Sequence, residues 1–212
     1  MNNVSFLTGV EYHRERKSAA LRNDCLVSLV TSWPGYASNV VRLQPKFLPA
    51  HNEREGLRKI KRRLYRPSGI LANPTLYVHK GYCFSILICS DLTNISHRHA
   101  LRGQIDTLFV LEWNKDIKTF SSLVEATSTD LHAFLAQVNN RLYGDSRVRA
   151  PAAADYLRDV VQVKGGESDF YVLGTVDYHA LRGEQRGSIA DPKFKPLPIG
   201  FKMSDRRRVG KP

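Results

Sequence analysis

The side chain best placed for chemistry is the thiol of Cys89. It follows the apolar run Tyr82–Ile88 and precedes two small polar residues, Ser90 and Asp91. A run rich in Ile, Leu and Phe predicts a buried strand, so Cys89 lies where the strand ends and the next element begins. Catalytic side chains collect at this edge of α/β sheets, because the loops there vary over a rigid base. Cys89 is therefore a candidate nucleophile, and the alternative is a small apolar core residue.

The cysteine content and the hydropathy indicate the cellular compartment in which the protein resides. The sequence has three cysteines, Cys25, Cys83 and Cys89, a number that fits a reducing, cytoplasmic environment better than a disulfide scaffold. Cys25 and Cys83 lie inside apolar strand-like runs, which favours core packing. No apolar stretch approaches the roughly 18 residues of a membrane span, and the N-terminus has no signal-peptide pattern. We expect a cytoplasmic protein with no membrane association.

The charge balance predicts a polyanionic partner. The 212 residues carry a formal net charge of +12, and such an excess favours nucleic acid as a neighbour. Solvated loops and a basic tail are the alternative. The charge is concentrated in His13–Lys17, Arg58–Arg66 and Arg206–Arg208 with Lys211. The candidate nucleic-acid contacts are Arg58, Lys59, Lys61, Arg62 and Arg63.

Other site types find little support in the sequence. His97 and His99 form a His-x-His pair, which points to different faces of a helix, and no carboxylate or cysteine pattern completes a metal site. No glycine-rich phosphate turn follows a predicted strand, which disfavours a doubly wound nucleotide-binding fold. No Gly-x-Ser-x-Gly elbow is present either. We expect no metal and no cofactor.

The pattern of elements predicts an α/β or α+β class, with helices layered on sheets. Periodicity predicts helices over residues 52–63, 96–102 and 119–132. Apolar and β-branched runs predict strands over residues 4–12, 24–31, 39–43, 75–78, 83–88, 105–113, 134–138, 147–149, 160–163 and 170–176. After Gly183 the composition turns polar and basic, which predicts a poorly ordered tail over residues 184–212.

In this order the motifs resemble the carbon–nitrogen hydrolase (nitrilase) superfamily. Ile88–Leu92 resembles that family's nucleophile motif, and Gln44–Pro49 resembles its lysine segment. Ile105–Trp113 resembles the strand after the nucleophile. Phe134–Asn139 and Gly144–Val148 resemble a later strand pair with its Asn and Gly-x-Ser. The resemblance implies an α-β-β-α sandwich over residues 1–183.

The resemblance also implies an activity and its residues. Cys89 would attack the carbon of an amide or nitrile to give a thioester-type intermediate, which water then hydrolyses. Lys46 would stabilise the thiolate and the oxyanion, and Glu53 would hydrogen-bond and orient either the base or Lys46, with Glu55 as the fallback. Ser90, Trp113 and Asn139 would line the substrate pocket. Relatives of this fold dimerise, which implies a homo-oligomer or a larger complex.

One departure concerns the general base. The family's catalytic glutamate lies in a first strand–helix–strand unit, and the matching region would precede Met1. Glu11 falls on a later strand, at a position to which the resemblance gives no catalytic role. The sequence therefore predicts a domain that lacks its first unit, either active with a glutamate supplied elsewhere or a catalytically silent basic module. Segments such as Leu7–His13 also resemble the nitrilase-like domain that follows a reverse transcriptase in some bacterial antiphage proteins.

Overall fold

The structure, a computed structural model, describes residues 4–14, 19–33, 36–167, 171–187 and 191–209. The chain divides into two compact units, Met1–Thr75 and Leu76–Pro212. Each unit contains its own sheet, so the two are described separately below. The described residues contain two sheets and five α-helices.

The first unit is built on a long central strand. Strand β2 (Ala20–Trp33) pairs antiparallel with β1 (Phe6–Arg14) and β3 (Tyr36–Pro45), and the short β4 (Arg63–Leu64) pairs parallel with it. Helix α1 (His51–Lys59) leads from β3 to β4. The three predicted strands are confirmed here: β1 is shifted by two residues from the predicted range, and β2 and β3 are longer than expected.

The second unit has parallel strands at its centre. Its sheet has the order β10-β9-β8-β7-β6-β5, in which β6, β7 and β8 are parallel to one another. The strands are β5 (Tyr77–His79), β6 (Tyr82–Ile88), β7 (Thr107–Glu112), β8 (Phe134–Asn139), β9 (Ser146–Arg149) and β10 (Asp159–Val163).

Two crossover helices bring the carboxyl ends of these strands to one edge. Helix α2 (Ile95–Leu101) joins β6 to β7, and α3 (Ile117–Leu131) joins β7 to β8. In the register, Ile88 pairs with Leu111 and Leu111 pairs with Val138. The residues that follow these positions therefore emerge side by side, and this edge is where the predicted nucleophile lies.

The segment before the fourth helix is not the strand that was predicted over residues 170–176. Phe170 lies outside the described residues, and residues 171–176 form no strand. Tyr171 and Leu173 are each 88% exposed, because no neighbouring strand pairs with them, and β propensity alone does not form a sheet. Helix α4 (Tyr178–Arg186) follows, with the side chain of Asp177 accepting a hydrogen bond from the N–H of Ala180.

The polar segment after Gly183 contributes buried groups to the second unit. Phe194 and Met203 are buried, and Arg207 of helix α5 (Asp205–Val209) is 1% exposed. Arg207 donates to Asp106 at 2.5 Å and to the Gly103 carbonyl at 3.0 Å, and Arg182 of α4 also donates to Asp106. Asp106 accepts charge-assisted hydrogen bonds from both guanidinium groups, which offsets part of the cost of removing these charges from water. Residues 188–190 and 210–212 of the predicted tail lie outside the described residues.

Candidate active site

Cys89 occupies a sharp turn between a strand and a helical turn. It is the first residue after β6 and begins a 3-10 turn, Cys89–Thr93. Its backbone has φ of +51°, in the left-handed region that residues with a side chain rarely adopt. Such a conformation persists only where the surroundings impose it, and it is concentrated at functional sites.

The residues around Cys89 hold this turn in place. The carboxylate of Asp91, which is 2% exposed, accepts a hydrogen bond from the N–H of Ile88 at 3.4 Å. The hydroxyl of Thr93 donates to the carbonyl of Ser90 at 2.8 Å. The first contact fixes the end of β6 and the second closes the turn. Cys89 itself is half-buried, so its side chain has access to solvent.

The other two thiols are in a different environment. Cys25 is fully buried in β2 and Cys83 is buried in β6. Burial raises the pKa of Cys25 to about 12 and also raises the pKa of Cys83. Both thiols remain protonated at neutral pH and act as small apolar core groups. Their predicted packing role is confirmed.

Lys46 and Glu53 form a buried ion pair in the first unit. Lys46 follows the last residue of β3 and is 3% exposed, while Glu53 lies in the first turn of α1. The ammonium nitrogen of Lys46 lies 2.5 Å from Oε2 of Glu53. The backbone N–H of Lys46 donates to the Asn23 carbonyl at 2.8 Å, which ties the end of β3 to β2. The predicted contact between these two side chains is present.

Three further donors surround the Glu53 carboxylate. The Tyr12 hydroxyl donates to it at 3.0 Å, the Asn23 amide at 3.3 Å and the N–H of Ala50 at 2.9 Å. Burial by itself would raise the pKa of Glu53, but the charge of Lys46 and these hydrogen bonds outweigh it and lower the pKa. Glu53 therefore remains ionised and keeps Lys46 oriented as a cation.

A β-bulge presents Glu11 and Tyr12 beside this pair. The β1–β2 register shifts between Val10 and His13, so Glu11 and Tyr12 together face Asn23, and Tyr12 has φ of +47°. Partial burial and the charge of Glu53 raise the pKa of Glu11, although Lys46 opposes the shift. Neither residue was predicted to belong to the site. A bulge leaves no clear sequence signal when the inserted residue is not glycine.

The ends of β7 and β8 carry the remaining predicted contacts. Trp113 is 57% exposed, whereas Asn139 is 8% exposed. The Asn139 oxygen accepts from the N–H groups of Asn114 and Asn140, and its amide donates to the carbonyls of Asn114 and Gly144. Asn139 thus fixes the loops that follow both strands, and its predicted contact with substrate would have to replace one of these bonds.

Glu112, which the sequence analysis did not select, is a buried acid at the same edge. It pairs with Asn139 in the sheet, one position beyond the Ile88–Leu111 pair. Its Oε2 accepts from the Gln137 amide at 2.9 Å, and its Oε1 is buried with no partner among the described residues. Burial raises the pKa of Glu112 to about 7. The available signal was a glutamate directly after the apolar run Leu108–Leu111.

The predicted site residues therefore fall into two groups. Cys89, Ser90, Trp113 and Asn139 lie at one sheet edge of the second unit, and Lys46 and Glu53 lie in the first unit. A pairing of Lys46 with Cys89 stays a prediction. The described residues contain no cluster of three His, Cys, Asp or Glu side chains suited to a metal ion. Nor does any helix within the described ranges have the length and hydropathy needed to cross a membrane.

The predicted nucleic-acid contacts surround the end of α1. The side chains of Arg58, Lys59, Lys61 and Arg63 are exposed, and that of Arg62 is half-buried. Lys61 has φ of +54°, and the N–H of Arg62 donates to the Leu57 carbonyl at 2.8 Å. This turn directs the chain back along the helix towards β4.

Solved structures with the same fold are proteins of the carbon–nitrogen hydrolase superfamily. A superfamily member from Xanthomonas campestris, with an arsenic adduct in its active site, matches with a TM-score of 0.62 and 16% identity over 86% of this chain. A cysteine-to-alanine mutant of the nitrilase-superfamily amidase from Nesterenkonia AN1 matches with a TM-score of 0.58 and 13% identity over 88% of this chain. No protein-family profile matches the sequence, and no curated protein matches it significantly.

A third match concerns the chemistry of the neighbour. Another mutant of the Nesterenkonia sp. AN1 amidase, with a TM-score of 0.53, shows covalent addition of the acetamide moiety of fluoroacetamide at its active-site cysteine. The chain has the nitrilase-like sandwich fold, as the sequence predicted. It spans 66% of the length of the first two of these structures and 59% of the third.

Proposed function

We propose that the chain carries the nucleophile of a carbon–nitrogen hydrolase that acts on non-peptide amides or nitriles. The observation that supports this most directly is the left-handed turn at Cys89, at the carboxyl end of a central parallel strand. A strained strand-to-helix turn is the general device for presenting a nucleophile above a sheet. The fold shared with amidases that bear an active-site cysteine supports the same proposal.

For an amide, the proposed reaction has two steps. The Cys89 thiolate attacks the carbonyl carbon, the C–N bond breaks, and the nitrogen leaves with a proton as ammonia or an amine. Water then attacks the resulting thioester, which releases a carboxylic acid and restores the thiol. Lys46 would stabilise the oxyanion of both steps, together with the backbone N–H after Cys89. The low pKa of Glu53 supports this role, because it keeps a fixed negative charge against the Lys46 ammonium.

None of the described residues is assigned as the general base, so its source is part of the proposal. The resemblance gives this role to a glutamate, which we propose is supplied from outside the described residues. We assign it to a further polypeptide segment, which fits a cytoplasmic homo-oligomer or larger complex. The association with a reverse transcriptase in antiviral defence, predicted from local sequence resemblance, would be one such setting. Loss of a general base costs roughly 10²–10⁴ in rate, so we expect weak amidase activity from this chain alone.

Thiol labelling tests the assignment of Cys89. Treatment with iodoacetamide at pH 7, followed by peptide mass spectrometry, measures the modification rate of each cysteine. We expect Cys89 to react at least about tenfold faster than Cys25 and Cys83, because buried thiols of raised pKa are inert. The two buried cysteines are internal controls for unfolding. Equal, slow labelling of all three would refute the proposal.

A catalytically silent, basic interaction module is the second candidate function. The exposed basic side chains at the end of α1 favour it. In that case Cys89 would label no faster than an ordinary solvent-accessible thiol such as that of free glutathione, and binding to DNA or RNA would weaken steeply with salt. Rapid labelling of Cys89 together with salt-insensitive binding would exclude this alternative.

A further inference from the structure

The first unit contains a cleft lined by five arginines. Its volume is about 540 Å³, and it lies between α1 and the segment that returns from the helix to β4. Arg54 and Arg58 are one helical turn apart on α1. The return segment supplies the other three, Arg62, Arg63 and Arg66. None of the described residues that line this cleft is acidic.

The floor of the cleft is apolar and buried. Ala20, Leu57 and Leu64 line it, and each is about 5–6% exposed. Ala20 pairs with Arg63, and Leu21 with Leu64, in the parallel contact between β2 and β4. The cleft is therefore built on the sheet and on the buried face of the helix, and its size is that of ordinary small-molecule sites.

Among the residues that the structure describes, the carboxylates of this unit are engaged away from the five arginines of the cleft. Glu53 is paired with Lys46, and Glu55 contacts His51 at 3.4 Å. Asp24 is paired with His13 and Arg22. Across the described ranges of the chain, no carboxylate forms an ion pair with any of the five arginines of the cleft. Five like charges around one concave surface repel one another, and an anion of high charge density removes that cost.

An aromatic side chain adds a second recognition element. Tyr65 lies between two of the arginines in sequence and lines the cleft. The Arg22 guanidinium lies 4.4 Å from the centre of its ring, and the N–H of Tyr65 donates to the Leu21 carbonyl at 2.8 Å. The ring is thereby fixed in orientation beside the cationic groups. Arginine forks with a nearby aromatic ring are suited to phosphate groups that carry a nucleobase.

We propose that this cleft binds closely spaced phosphate groups, from either a nucleotide or a nucleic-acid strand. Arg54, Arg58, Arg62, Arg63 and Arg66 are the ligating residues, and guanidinium groups bind phosphate oxygens in pairs. Lys59 and Lys61 were predicted as nucleic-acid contacts, but neither lines the cleft, and Arg54 and Arg66 were not predicted. The proposal is independent of the chemistry at Cys89.

A pair of matched double variants tests the cleft. Arg54→Gln/Arg58→Gln removes two charges that line it, and Lys59→Gln/Lys61→Gln removes two charges that do not. Binding of the full chain to a fluorescent single-stranded RNA oligonucleotide is measured by anisotropy over a salt series. We expect the arginine variant to lose at least tenfold in affinity and its salt slope to fall by roughly 1.4. The lysine variant should lose less than threefold.

Two further measurements distinguish the source of the phosphate. Thermal melting with inorganic tripolyphosphate, and with ATP, reports binding to the folded chain. If ATP binds as tightly as a twelve-nucleotide RNA, the ligand is a nucleotide. If affinity increases steadily from four to twelve nucleotides, the ligand is a strand. Equal losses in the two double variants, with melting curves unchanged from wild type, would overturn the proposal, as would the absence of binding to all of these phosphate probes.

Discussion

Two buried glutamates, one in each unit, differ in charge state although they are similarly removed from solvent. Glu53 accepts from an ammonium group and three further donors, and its pKa is lowered. Glu112 accepts from one amide, and its pKa is raised to about 7. Burial opposes ionisation in both, so the number and charge of the donors decides the outcome. The first site holds an ion pair, and the second holds a carboxyl group whose pKa of about 7 lies near neutral pH.

The largest effect should come from removing the cation of the first site. In Lys46→Met, Glu53 keeps its burial but loses its counter-charge, so we expect a loss of about 3–5 kcal/mol in the free energy of unfolding. Urea denaturation at pH 7 measures it. Lys59→Met, at an exposed position of α1, is the matched control and should change stability by less than about 0.5 kcal/mol. A small change in Lys46→Met would mean that the three remaining donors suffice.

The carboxyl group of Glu112 should make the stability of the fold depend on pH. Because the pKa of Glu112 is about 7 when folded and 4.5 as the ordinary value, the folded state holds the proton more tightly. The contribution of Glu112 to the free energy of unfolding is present in full below about pH 4.5 and is lost as the pH rises through 7. At about 1.4 kcal/mol for each pH unit, the loss is roughly 3 kcal/mol.

Glu112→Gln removes this titration while preserving the shape of the side chain. We expect the difference in unfolding free energy between wild type and variant to change by roughly 3 kcal/mol between pH 4.5 and pH 8, in favour of the variant at high pH. Glu55→Gln, on the exposed part of α1, is the control and should show no such change. Parallel pH profiles for wild type and Glu112→Gln would show that the carboxyl group is ionised throughout.

The smallest effect should come from removing one donor of Glu53. Tyr12→Phe deletes the hydroxyl that donates to Glu53 at 3.0 Å. Tyr12 is 44% exposed, so water can replace part of the lost bond, and we expect a loss of about 1 kcal/mol in urea denaturation. The pKa of Glu53, followed by NMR, should rise. An unchanged pKa would show that the Tyr12 hydroxyl does not contribute to the charge state of Glu53.

Local sequence patterns predicted the strands that carry the site better than they predicted the contacts around its side chains. The apolar run that ends at Ile88 predicted β6 and the place of Cys89, because strand signals are contained in adjacent residues. The contacts of Tyr12 and Asn23 with Glu53 join residues 41 and 30 positions apart, and the amide that reaches Glu112 comes from β8. Such contacts depend on strand order and register, which local periodicity does not determine.

The C-terminal region shows the same limit in a different form. Its composition predicts a poorly ordered tail, yet Arg207 bonds to Asp106 from 101 positions away. The sequence around an arginine in a basic run does not indicate whether its side chain is buried or solvated. The predicted strand over residues 170–176 failed for the converse reason, since its β-branched residues have no partner strand.

At Cys89, the backbone conformation that presents the thiol also lowers the stability of the fold. A left-handed conformation costs a residue with a side chain about 1–3 kcal/mol, and glycine adopts it without that penalty. Glycine at position 89 would therefore stabilise the fold while deleting the thiol. Laboratory selection for thermal stability alone should accumulate this replacement, and selection that also demands turnover should reject it. Sequencing the variants that survive each selection would show whether turnover requires the Cys89 thiol.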